Sequence, residues 1–358
     1  MIQSVSILTA VTVDYVPQTV VTLKSAHRTG SFHSFYVFVA DAPSDTVEKI
    51  RLILADDVPW LHVFGPENLG SERTAFMRVF SYFNRFEIAN LAKYVGLSHV
   101  LKDPSVGDAC VFVDSDTLFF NDVCPLIKDM GNKAVYLTPQ LLESTNSDTE
   151  HDVMTHGWIN AGFLGFNCKH EGTARILKWL IDRISSRGHL APHLGLSCDQ
   201  TWVSALPVLF RDLVAVSHYK GLNVAYWNLD KRPLTRAPDD EILAGENPLV
   251  MFHFSGFDEA NSQILSKHAA VTVETGSILD ELCNVYRNAL QDSKKVRERM
   301  KGLNALPCAT GNLAARIKAS ADEHQVNLYK TMVRPGIFTR LGGIADAVVR
   351  KIFNLIGA

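Results

Sequence analysis

The chain of 358 residues lacks the features that mark several classes of protein. Its charge is nearly balanced, with a formal net charge of −3 and a pI near 6.5, so no extended surface for nucleic acid is indicated. No run of about 18 apolar residues occurs, so we expect no segment that spans a membrane. The first residues include neither a basic stretch nor a small-residue cleavage site, and we therefore expect no signal peptide and a cytoplasmic location.

Cysteine is also scarce, and its spacing is irregular. The six cysteines include no Cys-x-x-Cys pair; they are Cys110, Cys124, Cys168, Cys198, Cys283 and Cys308. In a chain of this length, such scatter predicts reduced and mostly buried thiols of an intracellular protein.

The sequence does contain enough apolar material for a large core, with 47% hydrophobic and 20% charged residues. β-Branched runs alternate with amphipathic segments, which predicts strands at 4–13, 35–40, 60–65 and 109–116 and helices at 17–30, 44–57 and 74–97. Ser44 is a candidate N-cap of the second helix. This alternation predicts an α/β fold with a mostly parallel central sheet and flanking helices.

Shorter strands are predicted further along the chain, at 134–138, 162–167 and 249–254. The stretch 143–157 is polar, and we expect a mobile loop there. Residues 261–358 read as a helical extension, with the clearest helical patterns at 277–300 and 344–358.

Two carboxylates, Asp114 and Asp116, follow the predicted strand 109–116 at its carboxyl end, where ligands bind in parallel sheets. Side chains two apart on an extended segment point the same way, so both can face one ligand. Mg²⁺ and Mn²⁺ prefer such oxygen ligands. A solvated acidic turn is the alternative explanation of this pattern.

Two enzyme families begin with a similar motif. The segment resembles the Asp-x-Asp-x-Thr-Leu motif of haloacid-dehalogenase-type phosphatases, but Thr117 stands one position early, and the later lysine and acidic pair of that family are not evident. It also resembles the Asp-x-Asp of GT-A glycosyltransferases, in which a metal bound there holds a nucleotide diphosphate.

Three later segments favour the glycosyltransferases. WINAGFLGFN at 158–167, SCDQTWVSALP at 197–207 and LVMFHFSGFD at 249–258 resemble, in family order, the Asn-Ala-Gly, Asp-Gln and His-x-x-Gly segments of glycosyltransferase family eight. That family includes glycogenin and bacterial lipooligosaccharide galactosyltransferases. NVAYWNLDKRPL at 223–234 also resembles bacterial relatives, and the stretch 9–15 resembles the family's first strand and loop. The resemblance implies a GT-A, Rossmann-like fold for nucleotide-diphospho-sugar transfer.

The resemblance also implies roles for individual residues. Asp114, Asp116 and His253 would bind Mn²⁺ or Mg²⁺, and an imidazole ligand favours Mn²⁺. The residues implied to bind the nucleotide are Thr9, Ala10, Thr12, Asp14, Tyr15, Lys93, Ser115 and Gly256. Those implied to bind the sugar are Asn160, Ala161, Gly162, Asp199 and Gln200, and the last two are the candidate catalytic residues. Thr12 stands where the family often has an aspartate that contacts uracil, and Asp14 where it often has asparagine.

Most of these residues also have a structural explanation. His253 could be a core histidine, Lys93 a solvated helix lysine, Asn160 a turn residue and Asp199 the N-cap of the following helix. From the residues themselves, amide and carboxylate groups suit the hydroxyls of a hexose, which both donate and accept hydrogen bonds. Gly256 would allow backbone N–H groups to approach a phosphate.

The last 26 residues, 333–358, combine four basic residues with one acid and place apolar residues on one helical face. Such a segment can lie on an anionic membrane surface, at the inner face of the membrane, or pack on the protein as an ordinary helix.

We therefore predict a glycosyltransferase that moves a hexose from a nucleotide-diphosphate sugar, implied to be a UDP-sugar, to a glycan or lipid-linked acceptor with retention of configuration. Such an enzyme would serve polysaccharide biosynthesis, for example of a bacterial cell-surface glycan. The catalytic domain would span 1–260, with a nucleotide- and metal-binding half at 1–130 and a sugar- and acceptor-binding half at 131–260. The alternatives are a metal-dependent phosphatase of the dehalogenase type and a non-catalytic binder of sugar nucleotides.

Overall fold

The structure is a computed structural model, and it describes residues 2–324. Its strands, in chain order, are β1 (Val5–Val11), β2 (Phe35–Val39), β3 (Leu61–Phe64), β4 (Ala109–Val113), β5 (Thr117–Phe119), β6 (Val135–Pro139), β7 (Ile159–Asn167), β8 (Leu190–Ala191), β9 (Leu196–Ser197), β10 (Val214–Val216), β11 (Leu234–Arg236), β12 (Ile242–Ala244), β13 (Asn247–Pro248), β14 (Met251–His253), β15 (Ile264–Ser266) and β16 (Ala269–Thr272).

The α-helices of the same residues are α1 (Val16–Arg28), α2 (Ser44–Leu54), α3 (Arg73–Arg78), α4 (Arg85–Val100), α5 (Cys124–Lys128), α6 (Ser147–His156), α7 (Glu171–Arg187), α8 (Gln200–Val203), α9 (Leu206–Leu209), α10 (Ile278–Arg299) and α11 (Leu313–Glu323). None of these helices, within 2–324, is both long enough and apolar enough to cross a bilayer.

Seven strands form the central sheet, in the order β10-β6-β7-β4-β1-β2-β3. β7 runs antiparallel to β4 and β6, and every other neighbouring pair in this sheet is parallel. The predicted α/β class with a mostly parallel sheet is therefore confirmed. Since β1 and β4 are parallel neighbours, their carboxyl ends meet at one edge, and this edge carries the candidate site.

Side chains that alternate along the strands pack into two hydrophobic cores, one on each face of the sheet. In β1, Leu8 joins the core that includes Leu91 of α4, whereas Ile7 joins the core that includes Val20 of α1. All four of these side chains are 2% exposed or less. Burial on both faces explains why these strands are continuous apolar runs.

The helix predicted at 74–97 is interrupted. α3 ends at Arg78, and α4 begins after Asn84, whose side chain accepts a hydrogen bond from the Glu87 N–H at 2.9 Å. Glu87 in turn accepts from the Asn84 N–H at 2.9 Å, which completes a capping box. This local cap starts a new helix inside one apolar pattern. Ser44 is likewise not the N-cap of α2, because that position is occupied by Pro43.

Two other predictions from the sequence differ from the structure. The polar stretch 143–157, expected as a loop, contains α6, which Asn146 caps by accepting from the Thr149 N–H at 2.9 Å. The segment after 260 does not begin as a helix but as the β15–β16 hairpin, and α10 follows it. The basic segment 333–358 and its predicted membrane contact lie outside the described residues.

The long helix α10 packs against α1 and the residue that follows β14, in part through an aromatic contact. Tyr286, fully buried, stacks on Phe254 with ring centroids 4.2 Å apart, and its hydroxyl accepts a hydrogen bond from Gln18 of α1 at 2.8 Å. Phe254 directly follows β14, so α10 supports the strand that carries His253.

Candidate functional site

Asp114 and Asp116 lie in the turn between β4 and β5, at the carboxyl edge of the sheet. The Asp114 N–H donates to the Gly162 carbonyl at 3.0 Å, which extends the β4–β7 ladder by one bond. The hydroxyl of Thr22, on α1, lies 2.7 Å from the Ser115 carbonyl and 2.9 Å from the Thr117 carbonyl. The turn is therefore fastened both to β7 and to α1.

His253 reaches this turn through a second strand pair. β14 pairs antiparallel with β5 and sets His253 opposite Thr117, while the Phe254 N–H donates to the Asp116 carbonyl at 2.7 Å. His253 Nε2 lies 3.1 Å from Asp116 Oδ1. Three ligand atoms, one each from Asp114, Asp116 and His253, lie within 4.8 Å of one another. The structure thus brings these three side chains together.

Lys93 of α4 is buried beside the cluster. Its Nζ lies 3.1 Å from Asp114 Oδ1 and 3.2 Å from Asp199 Oδ2. The Tyr94 hydroxyl also donates to Asp199 Oδ2, at 2.8 Å. The Asp199 side chain therefore faces the site and makes no capping bond to α8, although the residue occupies the N-cap position. Lys93 is correspondingly not a solvated lysine, since it is 6% exposed.

The charges of the cluster act on one another. Burial disfavours the charged amine of Lys93, but Asp114 and Asp199 outweigh this effect and raise the pKa of Lys93. Burial raises the pKa of Asp114 even though Lys93 and His253 oppose it. Burial also penalises ionised Asp116, but the adjacent His253 lowers the pKa of that carboxyl below its usual value.

The donor set fits a divalent cation. Three carboxylates, those of Asp114, Asp116 and Asp199, face the single positive charge of Lys93, so three minus one leaves two negative charges when His253 is neutral. Two oxygens and one nitrogen suit a divalent cation. The residues present therefore fit a divalent ion of the kind that the sequence motif implies.

Glycine at position 162 keeps the space for this cluster open. A Cβ there would lie 2.6 Å from His253 Cε1, 2.8 Å from Asn160 Oδ1 and 2.9 Å from Asp114 Oδ2. Each of these distances is shorter than real Cβ contacts allow. The site thus requires glycine for close approach and not for its backbone conformation.

Asn160 and Gln200 form an amide network behind the cluster. Asn160 Oδ1 accepts from the Gly162 N–H at 2.9 Å, and its Nδ2 donates to Gln200 Oε1 at 3.2 Å. Gln200 Oε1 also accepts from the Ala161 N–H at 3.2 Å, while its Nε2 donates to the His156 carbonyl at 3.2 Å. These predicted sugar-binding residues therefore brace β7 against α6 and α8.

The residues of the stretch 9–15 that are predicted to hold the nucleotide lie along β1 and at its carboxyl end. Thr9 and Ala10 are inside the buried strand, and Thr12 is buried at its end. Asp14 is exposed and pairs with Arg85 at 2.7 Å. Tyr15 is 55% exposed.

Gly256 has φ +71°, in the left-handed region, and the β15–β16 hairpin approaches it closely. A Cβ at this position would lie 2.7 Å from Ser266 Oγ. Glycine is therefore required at position 256 both by its left-handed backbone and by the close approach of the hairpin, with or without a phosphate nearby.

Three further side chains at the site were not predicted from the sequence: Tyr94, Thr138 and Asn223. Asn223 Oδ1 lies 3.1 Å from His253 Nδ1, and Asn223 Nδ2 donates to Thr138 Oγ1 at 3.2 Å. Asn223 lies in the segment 223–234 that resembles bacterial relatives, which was the available signal. Tyr94 directly follows Lys93, but nothing in the sequence pairs it with Asp199.

Asp41, after β2, is a buried carboxylate at the same edge of the sheet. Its Oδ1 accepts from the Val13 N–H at 2.8 Å, while Oδ2 has no hydrogen-bond partner among the described residues. Burial raises the pKa of Asp41 from 3.8 to about 6, although Arg85 partly opposes it. Ionised Asp41 is thus a cost to the folded state at neutral pH.

We predict that Asp41→Asn changes how stability depends on pH. Folded Asp41 holds its proton up to about pH 6 and unfolded Asp41 only to 3.8, so wild-type stability falls as pH rises through this window. The free energy of unfolding of Asp41→Asn, relative to wild type, should rise by roughly 2 kcal/mol between pH 4.5 and 7. Urea unfolding of both proteins at pH 4.5 and at pH 7 measures this difference in free energy of unfolding. The same dependence of stability on pH in wild type and variant would contradict the prediction.

Several known proteins are similar to this chain. No protein-family model matches it. The protein YfnD of Bacillus subtilis is 25% identical over 212 residues, which cover 59% of this chain and 67% of YfnD. The galactosyltransferase LgtC, solved with donor and acceptor sugar analogs, is 16% identical with a TM-score of 0.47, over 79% of this chain and 95% of LgtC. The glycosyltransferase GlyE of Streptococcus pneumoniae is 17% identical with a TM-score of 0.43, over 87% and 66%.

This chain is thus similar in fold to solved glycosyltransferases. This similarity concerns the fold alone.

Proposed function

We propose that the protein is a metal-dependent glycosyltransferase that moves a hexose from a nucleotide-diphosphate sugar, of which a UDP-sugar is the first choice, to a hydroxyl of a glycan or lipid-linked glycan. The observation that carries the proposal is the cluster of Asp114, Asp116 and His253. Their ligand atoms come from the β4–β5 turn and from β14, which are far apart in sequence, and lie within 4.8 Å of one another. They are next to a buried lysine at the carboxyl edge of the sheet.

In this proposal Asp114, Asp116 and His253 would hold Mn²⁺ or Mg²⁺. The bound ion would supply positive charge that stabilises the leaving diphosphate. Lys93, whose Nζ lies 3.1 Å from Asp114, adds a fixed positive charge at the same place and keeps Asp114 oriented. Thr12, Asp14 and Tyr15 would contact the nucleoside at the end of β1, where the resemblance places the base.

The sugar would lie against Asp199 and the Asn160–Gln200 network. The contacts of Asp199 described above, to Lys93 and Tyr94, use Oδ2, so Oδ1 remains to accept from a sugar hydroxyl. Gln200 Oε1 already accepts two hydrogen bonds from β7. Since an amide is a poor nucleophile, Gln200 would orient and stabilise the reacting centre without forming a covalent intermediate.

The acceptor hydroxyl would attack as the bond between C1 and the diphosphate oxygen breaks, and its proton would leave with the departing diphosphate or with solvent. Attack from the leaving-group face would retain the configuration at C1. This part of the proposal depends on the likeness to family eight. NMR of the first-formed product distinguishes retention from inversion by the anomeric coupling.

A thermal-shift panel of nucleotide sugars, each with and without Mn²⁺, tests the proposal most economically. A ligand at 100 times its dissociation constant stabilises the folded state by about 2.7 kcal/mol, so UDP-sugar with Mn²⁺ should raise Tm by several degrees. Mn²⁺ should be required for most of this shift. Release of UDP from the best donor then measures turnover.

The same samples separate the alternatives. Release of phosphate from simple monoesters, with no shift from any nucleotide, would point to a dehalogenase-type phosphatase. A strong shift with UDP but no turnover of any donor would point to a non-catalytic binder of sugar nucleotides. Either result would overturn the proposed activity.

A further inference from the structure

The two ring nitrogens of His253 have different partners. Nε2 faces Asp116 Oδ1 at 3.1 Å, and Nδ1 faces Asn223 Oδ1 at 3.1 Å. A neutral imidazole that binds a metal through one nitrogen keeps its proton on the other. Which nitrogen carries the proton has to be deduced from the hydrogen-bond partners.

The backbone N–H of Gly162 fixes the orientation of both asparagine amides. The Gly162 N–H can only donate, so the Asn160 atom 2.9 Å away from it is the carbonyl oxygen, Oδ1. The Asn223 atom that lies 2.9 Å from this same oxygen must then be the amide nitrogen, Nδ2. The other end of the Asn223 amide, which faces His253, is consequently the oxygen.

Thr138 supports the same orientation independently. The Thr138 hydroxyl lies 3.2 Å from the Phe163 carbonyl and 3.4 Å from the Asn160 carbonyl, so it can donate its one proton on that side. Toward Asn223 the hydroxyl is then an acceptor, and it lies 3.2 Å from Nδ2. Two separate groups therefore require the amide nitrogen of Asn223 to point away from His253.

We propose that Asn223 is a positioning residue that accepts the Nδ1–H of His253 and so leaves the Nε2 lone pair facing Asp114 and Asp116 for the metal. A relay of hydrogen bonds runs from the Gly162 N–H through Asn160 and Asn223 to His253. It rests on the proposed function, because the ion at this site is part of that proposal. It also gives Asn160 a role behind the metal site that is separate from sugar binding.

The surroundings of Asn223 are built to hold this amide in place. Asn223 is 1% exposed, and the following residue, Val224, forms a backbone bridge to β14: its N–H donates to Met251 at 3.0 Å and its carbonyl accepts from the His253 N–H at 2.7 Å. Asn223 has φ +57°, a conformation that asparagine and glycine adopt more readily than other residues. Trp227 packs edge-on against the His253 ring, with centroids 5.3 Å apart.

Two substitutions of Asn223 test the relay. Asn223→Gly removes the whole amide and suits the left-handed backbone, so the fold should be retained. Asn223→Asp loses the donor to Asn160 and Thr138, as the glycine variant does, but keeps an oxygen for Nδ1–H. We expect Asn223→Gly to weaken Mn²⁺ binding by about 10- to 100-fold. The Mn²⁺ affinity of Asn223→Asp should be no more than about threefold weaker than that of wild type.

The readout is the affinity for Mn²⁺ alone, from the EPR signal of free Mn²⁺, with no donor or acceptor present. Turnover adds a second one: the activity of Asn223→Gly should recover at high Mn²⁺ concentration. Wild-type affinity in folded Asn223→Gly, or equal weakening in both variants, would overturn the relay. Asn223→Ala replaces the glycine variant should that one not fold. Failure of wild type to bind Mn²⁺ would instead contradict the proposed function.

Discussion

Asp116→Ala is expected to lower donor hydrolysis and sugar transfer by about 1,000-fold or more. Asp116 supplies one of the carboxylates of the cluster, and its Oδ1 lies 3.1 Å from His253 Nε2. A metal ion contributes several kcal/mol to the stabilisation of a leaving group, and each 1.4 kcal/mol is a factor of ten in rate. His253→Ala should have an effect of the same size. Steady-state release of UDP with saturating Mn²⁺ measures both.

The matched control is Asp212→Asn. Asp212 is also an aspartate, but its side chain is 88% exposed and its ion-pair partner is the exposed Arg211. This variant should keep wild-type activity and Tm. Comparable activity in Asp116→Ala, or full wild-type activity in excess chelator, would show that the reaction does not use the cluster as a metal site.

Gly162→Ala is the second substitution with a large expected effect. The added methyl would overlap His253 Cε1, Asn160 Oδ1 and Asp114 Oδ2, all within 2.9 Å, so these three groups must move apart. Displacement of reacting groups by about 1 Å costs on the order of 100-fold in rate, and overpacking costs about 1–3 kcal/mol of stability. We expect at least that loss of turnover together with weaker Mn²⁺ binding in a protein that still folds.

Gly311→Ala provides the comparison for this variant. Apart from Gly311 and its two neighbours in sequence, no atom lies closer than 3.9 Å to a Cβ built at Gly311. The φ of Gly311 is outside the left-handed region. The substitution should leave turnover and Mn²⁺ affinity unchanged. Undiminished Mn²⁺ affinity in Gly162→Ala would mean that the cluster tolerates the extra methyl and that the site is less closely packed than the structure describes.

Much of this architecture could be predicted from local sequence because its causes are local. Buried parallel strands require continuous apolar runs, so β1, β2 and β4 were evident, and the edge at which Asp114 and Asp116 lie follows from the alternation of strands and helices. The placement of His253 needed the resemblance to a family, since the β5–β14 pairing joins residues more than a hundred positions apart.

Features that depend on contacts between distant segments could not be predicted in the same way. The pairing of Tyr94 and Lys93 with Asp199 depends on how α4 packs beside the start of α8. The role of Asn223 depends on a left-handed residue set next to β14 by backbone bonds. The break before α4 was missed for the opposite reason: the Asn84 capping box is local, but it lies within an apolar pattern that continues across it.

The most direct measurement is anomalous diffraction from crystals of the wild-type protein soaked with MnCl₂ and UDP. The account predicts an anomalous peak between Asp114, Asp116 and His253, about 2.0–2.4 Å from the nearest carboxylate oxygens and from Nε2, with the diphosphate on its open side. Bound UDP with no manganese between these three side chains, or manganese out of reach of His253, would contradict it.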